Sequence, residues 1–128
     1  MQIIEDYYAR FNQGDSEGML ELLSEAVVHE ISQGPVQRGK EAFRSFLHHM
    51  NDCYRERVSD LCVLSQPGRA AAEFWLDGEY LATDPGLPEA RGQKYRLRVA
   101  TFFKLEGESI SRVSVHYNLR DWLEQIGG

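Results

Sequence analysis

The chain has 128 residues, 42% of them hydrophobic and 27% charged, with 14 Lys and Arg against 20 Asp and Glu for a net charge of −6. That length suits one domain spanning 1–128 with a real core, and the composition excludes a disordered chain. The negative balance argues against partners that present a bare phosphate backbone or an anionic membrane surface.

Ile4, Tyr7, Tyr8 and Phe11 recur at i, i+3, i+4 and i+7, one face of a first helix that Gly14 stops. Asp15 or Ser16 caps a short second helix whose apolar stripe is Met19, Leu20, Leu22 and Leu23. Val27 to Ile31 reads as a strand ended by Gly34-Pro35. Phe43, Phe46, Leu47 and Met50 restore helical spacing over about 40–51. The period then changes to that of strands over 55–65, 69–82, 92–105 and 109–117, with glycine-containing turns at 66–69 and 106–108. Residues 83–91 are too many for a tight hairpin and either overhang a pocket or cross a sheet edge. Leu119, Trp122, Leu123 and Ile126 mark a terminal helix capped by Asn118. Helices first and a mainly antiparallel sheet after is the α+β pattern.

Strand parity assigns the faces. Tyr95, Leu97, Val99, Thr101 and Phe103 oppose Lys94, Arg96, Arg98 and Lys104, so the first set faces inward. Arg91 and the three basic residues Lys94, Arg96 and Arg98 then read as a solvated sheet surface. Ala72, Phe74, Leu76 and Tyr80 oppose Glu73, Trp75, Asp77 and Glu79, and Val113, Val115 and Tyr117 oppose Ser114 and His116. On the first strand Val28, Glu30 and Ser32 oppose Val27, His29 and Ile31, and alternation alone leaves either face free to point inward. His48 and His49 are adjacent on a helix and read as surface residues. Cys53 and Cys62 have no metal-type spacing and no disulfide framework, which fits two reduced thiols. The first residues lack the basic and apolar regions of a secretory signal, and no apolar run reaches membrane-spanning length, so a cytoplasmic location is expected.

The element order resembles the cone of the nuclear transport factor 2 superfamily, in its ketosteroid isomerase and SnoaL-like polyketide cyclase branch. Three stretches carry the resemblance: Tyr7 to Asp15, then Val27 to Glu30 running on to Gly39-Lys40-Glu41, and Val113 to Asn118. It implies a strongly curved sheet wrapped around the N-terminal helices. It also places Glu30 at the general base of ketosteroid isomerases, Tyr7 at the oxyanion-hole tyrosine, and Thr101 where the family has a protonated Asp. Phe11, Phe46, Phe74 and Val99 fall on the pocket wall, and Tyr117 on its floor. By the resemblance Glu30 faces inward, and His29 and His116 face outward.

The implied chemistry is removal of a proton next to a carbonyl of a small hydrophobic molecule, steroid- or polyketide-like, without metal or organic cofactor. A different class is a non-catalytic ligand-binding or association module of the same fold. Water addition, as in limonene epoxide hydrolases, would need an Asp-Arg-Asp set, for which Arg112 faces the wrong way. Trp75, Phe102 and His116 on the outer face suggest an exposed aromatic patch and a homodimer formed through it. Phosphate-binding loops and a nucleophile elbow do not occur in the sequence.

Overall fold

A computed structural model describes residues 1–31 and 34–127; Ser32, placed by parity on the Glu30 face, lies outside the described residues. The order is α1 (Gln2–Asn12), α2 (Ser16–Glu21), β1 (Leu23–Ile31), β2 (Gln37–Arg38), α3 (Lys40–Cys53), β3 (Tyr54–Gln66), β4 (Arg69–Tyr80), β5 (Gln93–Glu106), β6 (Ser109–His116) and α4 (Leu119–Gly127). The strands form one six-stranded sheet in the order β2-β1-β6-β5-β4-β3. The β1–β6 pair is parallel and the other neighbours are antiparallel. This is the expected α+β cone. No helix among the described residues is long and apolar enough to cross a membrane.

Local chemistry explains most boundaries. Gly14, at φ 71°, takes the left-handed conformation that ends α1, and the Asp15 side chain accepts from Gly18 N at 2.9 Å to cap α2. Asn118 Oδ1 accepts from Asp121 N at 3.0 Å and caps α4. Several boundaries differ from the sequence expectation, among them α3, which runs on to Cys53, and β4, which ends at Tyr80 rather than at 82. The second helix ends at Glu21, and Leu23 already belongs to β1. That is because Leu22 O accepts from Ile110 N at 2.9 Å, drawing the chain into the sheet beside β6. Two-residue β2 is too short to leave a periodic signal.

The helices bury one face each against the concave side of the sheet: Ile4, Tyr7 and Tyr8 from α1, Phe43 and Leu47 from α3, and Ile126 from α4. They meet Phe74, Tyr80, Leu97, Val99 and Phe103 from the central strands. The inward faces read from the parity of β4, β5 and β6 match the buried residues, except that Ser114 on the outer parity of β6 is also buried.

Two side-chain amides satisfy strand backbone that has no neighbouring strand. Asn12 accepts from Val58 N at 2.8 Å and donates to Val58 O at 2.9 Å, tying α1 to the free edge of β3. Gln125 accepts from Arg96 N at 2.8 Å and donates to Arg96 O at 2.9 Å. It thereby covers the part of β5 that extends beyond its pairing with β6. Removing such a partner leaves both backbone groups unsatisfied. Replacing Asn12 by Ala is expected to destabilise the fold by about 1–3 kcal/mol, measured by urea unfolding. An unchanged midpoint would mean that water replaces the amide at no loss.

Candidate active site

The helices do not fill the cone. A cavity of about 720 Å³ remains between them and the sheet, within the usual size of a small-molecule site. Its exposed lining residues, among them Gln13, His49, Asn51, Arg55 and Leu81, mark its mouth. The deeper wall is apolar and aromatic, with Tyr8 and Phe74 tilted together at 4.8 Å; Tyr8 also meets Phe103, which is outside the lining, edge to face at 6.1 Å. The 83–91 loop contributes Asp84 and Leu87 to the lining near the mouth. It is held by Tyr80, whose hydroxyl donates to Pro88 O at 2.6 Å and accepts from Asp84 N at 2.9 Å.

Of the residues expected at the pocket, Tyr7, Phe11, Phe46, Phe74, Val99, Thr101 and Tyr117 line the cavity. Burial, with Tyr8 as the lesser cause, raises the Tyr7 pKa well above that of free tyrosine, so it stays a neutral donor. Thr101 Oγ1 is fully buried, with the Tyr8 side chain as its polar neighbour and no well-formed hydrogen bond among the described residues.

Glu30 is the correction. It does not line the cavity; it lies on the outer face of β1, where Arg112 Nε and one Arg112 terminal nitrogen reach its two oxygens at 2.9 and 3.2 Å. The pair is a third exposed, and the guanidinium holds the carboxyl below its ordinary pKa, opposite to what a buried general base requires. In the parallel ladder Arg112 pairs with Val28, two residues before Glu30, so its side chain extends along the same face. A strand read one residue out of phase turns every side chain to the other side. That phase difference also corrects His29, expected outside but 4% exposed and part of the cavity wall.

His29 stacks at 4.3 Å on Phe43 and meets Phe46 edge to face at 4.6 Å. Burial lowers its pKa to about 4, opposed by the neighbouring Gln37 side chain, so the imidazole is neutral at pH 7. Gln37 Oε1 is buried and makes no well-formed hydrogen bond among the described residues.

The carboxylate that does face the cavity is Glu56, which sequence reasoning passed over. It sits on β3 between buried Tyr54 and Val58, with Arg55 and Arg57 on the other face. Its residual surface opens on the cavity, and protein encloses the carboxyl group itself. Desolvation raises its pKa above the ordinary carboxylate range, partly offset by the hydrogen bond it accepts from the Tyr95 hydroxyl. A row across the sheet builds that contact: Glu56 pairs with Gly78, and Gly78 pairs with Tyr95. Only a glycine fits in the middle, since a Cβ on Gly78 would lie 2.2 Å from the Tyr95 ring. Tyr95 therefore lies over Gly78 and reaches the second strand along. Trp122 walls this end of the cavity, 6.0 Å from Tyr95, 5.9 Å from Tyr54 and 6.2 Å from Tyr117. The Tyr117 pKa is raised by burial and, secondarily, by the Glu56 charge.

The signal for Glu56 was present in the sequence as alternation of Tyr54, Glu56 and Val58 against two arginines. The outer face also departs from expectation. Phe102 is 49% exposed, but Trp75 is half-buried beneath the guanidiniums of Arg96 and Arg98, 4.6 and 4.8 Å from its ring centre.

The neutral state of His29 has a measurable consequence. Its folded pKa lies below that of an unfolded histidine, so the stability it allows is complete above about pH 6.5 and is lost as pH falls toward 4. The shift corresponds to on the order of 3 kcal/mol. Thermal melts of wild type should drop steeply across this window, and His29→Gln should remove most of that slope; parallel curves would place the acid sensitivity elsewhere.

The SnoaL-like domain family matches residues 4–113. Solved structures described as candidate polyketide cyclases are similar over nearly their whole length. One from Pseudomonas putida KT2440 is 49% identical, with 97% of this chain and 95% of that one covered and a TM-score of 0.95. One from Silicibacter sp. TM1040 is 46% identical, with 99% and 94% covered and a TM-score of 0.96. A protein with a ketosteroid isomerase-like fold from Catenulispora acidiphila DSM 44928, solved with trimethylamine, shares the fold at 16% identity, 98% and 92% coverage and a TM-score of 0.80. The curated proteins contain no match to the chain. By the extent of the family match and the identity of these neighbours, the chain belongs to the SnoaL-like domain family.

Proposed function

We propose that this protein is a cofactor-independent enzyme that moves a proton next to a carbonyl of a small, largely apolar molecule, with Glu56 as the general base. The observation that carries the reading is an enclosed carboxylate of raised pKa, held by Tyr95 and facing an aromatic cavity. Glu56 takes the proton, the C–H electron pair moves onto the carbonyl oxygen as an enolate, and hydroxyl donors stabilise it. Tyr7 and Thr101 are the proposed donors, the second because its buried hydroxyl makes no well-formed hydrogen bond among the described residues. Phe11, Phe46, Phe74, Val99 and Tyr117 would enclose the substrate. Return of the proton to another carbon gives isomerisation. Attack of the enolate carbon on a second carbonyl, with the proton passed to the new alkoxide, closes a ring. The polyketide cyclase description of the 46–49% identical neighbours supports the second outcome.

The test is α-carbon deuterium exchange on a panel of apolar ketones and lactones. Glu56→Gln should lose about 10²–10⁴-fold, whereas Glu30→Gln should stay within a few-fold of wild type. Tyr95→Phe removes the contact that lowers the Glu56 pKa, so the acid limb of its pH–rate profile should move upward. The folded pKa of Glu56 is raised, so its contribution to stability is present at low pH and lost as pH rises through the folded value. Glu56→Gln should therefore melt higher than wild type at neutral pH, and the gap should close in acid. Wild type inert across the panel would instead support a ligand-binding module.

We also propose that a second copy docks on the outer sheet face around Phe102 and His116, whose rings meet edge to face at 5.4 Å, with Trp75 at the rim. Sedimentation at micromolar concentration should give a dimer that Phe102→Asp converts to monomer. A monomeric wild type removes the proposal.

A further inference from the structure

At the mouth of the cavity three side chains of different chemistry converge, and the reaction proposed above uses none of them. His49 and Cys53 stand one turn apart on α3, and Asp84 comes from the loop after β4. One ligand atom from each, a ring nitrogen, the thiol sulfur and a carboxylate oxygen, lies within 4.8 Å of the other two. Cys53 is a free, buried cysteine, Asp84 is partly buried and His49 is exposed.

The surrounding bonds hold these groups in place. Cys53 O accepts from Leu81 N at 2.7 Å and Ala82 N at 3.2 Å, which fixes the start of the loop against the end of α3. Asp84 N donates to the Tyr80 hydroxyl, and Asp84 Oδ2 accepts from the Tyr54 hydroxyl at 2.7 Å. That leaves Oδ1 turned to His49 Nε2 at 2.9 Å. A carboxylate oriented by a buried tyrosine is the kind of outer support that metal-ligating carboxylates have. From zinc–ligand bond lengths, donors around a tetrahedral zinc stand roughly 3.3–3.8 Å apart. The three donor atoms, 2.9 Å apart for the His49–Asp84 pair and no more than 4.8 Å apart for any pair, bracket that spacing.

We propose that His49, Cys53 and Asp84 form a three-ligand site for a divalent transition ion of the zinc type. The thiolate and imidazole select zinc over magnesium or calcium, which prefer oxygen. Three protein ligands leave one coordination position for water or a substrate oxygen. His49 and Asp84 both line the cavity, so an ion held between them stands at its wall.

The test uses the full chain, reduced and stripped with a chelator, then titrated with zinc salt alone against a chromophoric competitor. One equivalent per chain is expected, with a melting temperature that rises with zinc concentration. His49→Ala and Asp84→Asn should each weaken binding at least about tenfold, and Tyr54→Phe by about 10–100-fold. Cobalt in place of zinc should give a thiolate charge-transfer band that Cys53→Ser abolishes and Cys62→Ser keeps. Should Cys53→Ser fail to fold, the His49 and Asp84 variants decide alone. Binding that survives both of those variants, or substoichiometric zinc in wild type, overturns the site.

Discussion

Twelve successive pairings join β4 to β5, from Arg69 with Lys104 to Tyr80 with Gln93, and none is shifted. An uninterrupted antiparallel ladder of that length commits every side chain on both strands to one face. The concave wall of the cavity, with Phe74, Leu76, Leu97, Val99 and Thr101, follows from it directly. The same register sets Gly78 opposite Tyr95 and so brings the tyrosine hydroxyl to Glu56 on the next strand. A slip of one residue would move the aromatic wall to solvent and the arginines inward together.

The charges divide along that surface. Outside, Arg98 pairs with Glu73, Arg44 with Glu17, and Arg112 with Glu30, all in contact with water and each worth little to stability. Inside, the titratable groups are held in their uncharged forms or pushed toward them: His29 neutral, Glu56 raised, Tyr7 and Tyr117 raised. Glu30 and Glu56 are the same side chain in two settings, and the setting alone separates an ion-pair member from a candidate base. A carboxyl pushed by burial toward its neutral form beside a cavity is characteristic of functional sites.

Much of this was legible in the sequence. Helical spacing located α1, α3 and α4, and alternation sorted the faces of β4 and β5 because each has a continuous apolar set opposite a continuous charged one. The face of β1 was not legible, because Val27, Val28 and Ile31 supply apolar residues to both sides. There the family resemblance chose the Glu30 side and the fold chose the His29 side. Glu56 was missed differently: Tyr54, Glu56 and Val58 alternate within the regular stretch of β3 that ends at Ser59, but a charged residue between two apolar ones on a border strand does not by itself say which face is covered. The spacing of His49 and Cys53 is visible on any helical projection. Asp84 joins them only through the path of a loop, which no local pattern encodes.

The register shift in β3 has a consequence beyond the site. β3 is one border of the open sheet, and at Asp60, φ 55°, its backbone leaves the extended conformation. The other border, β2, is two residues long. Long, flat, unpaired borders are templates on which strands from other molecules add. Here one border is kinked and its first half is blocked by Asn12, while the other is too short to seed a ladder. The open sheet is thereby protected at both borders against growing by strand addition.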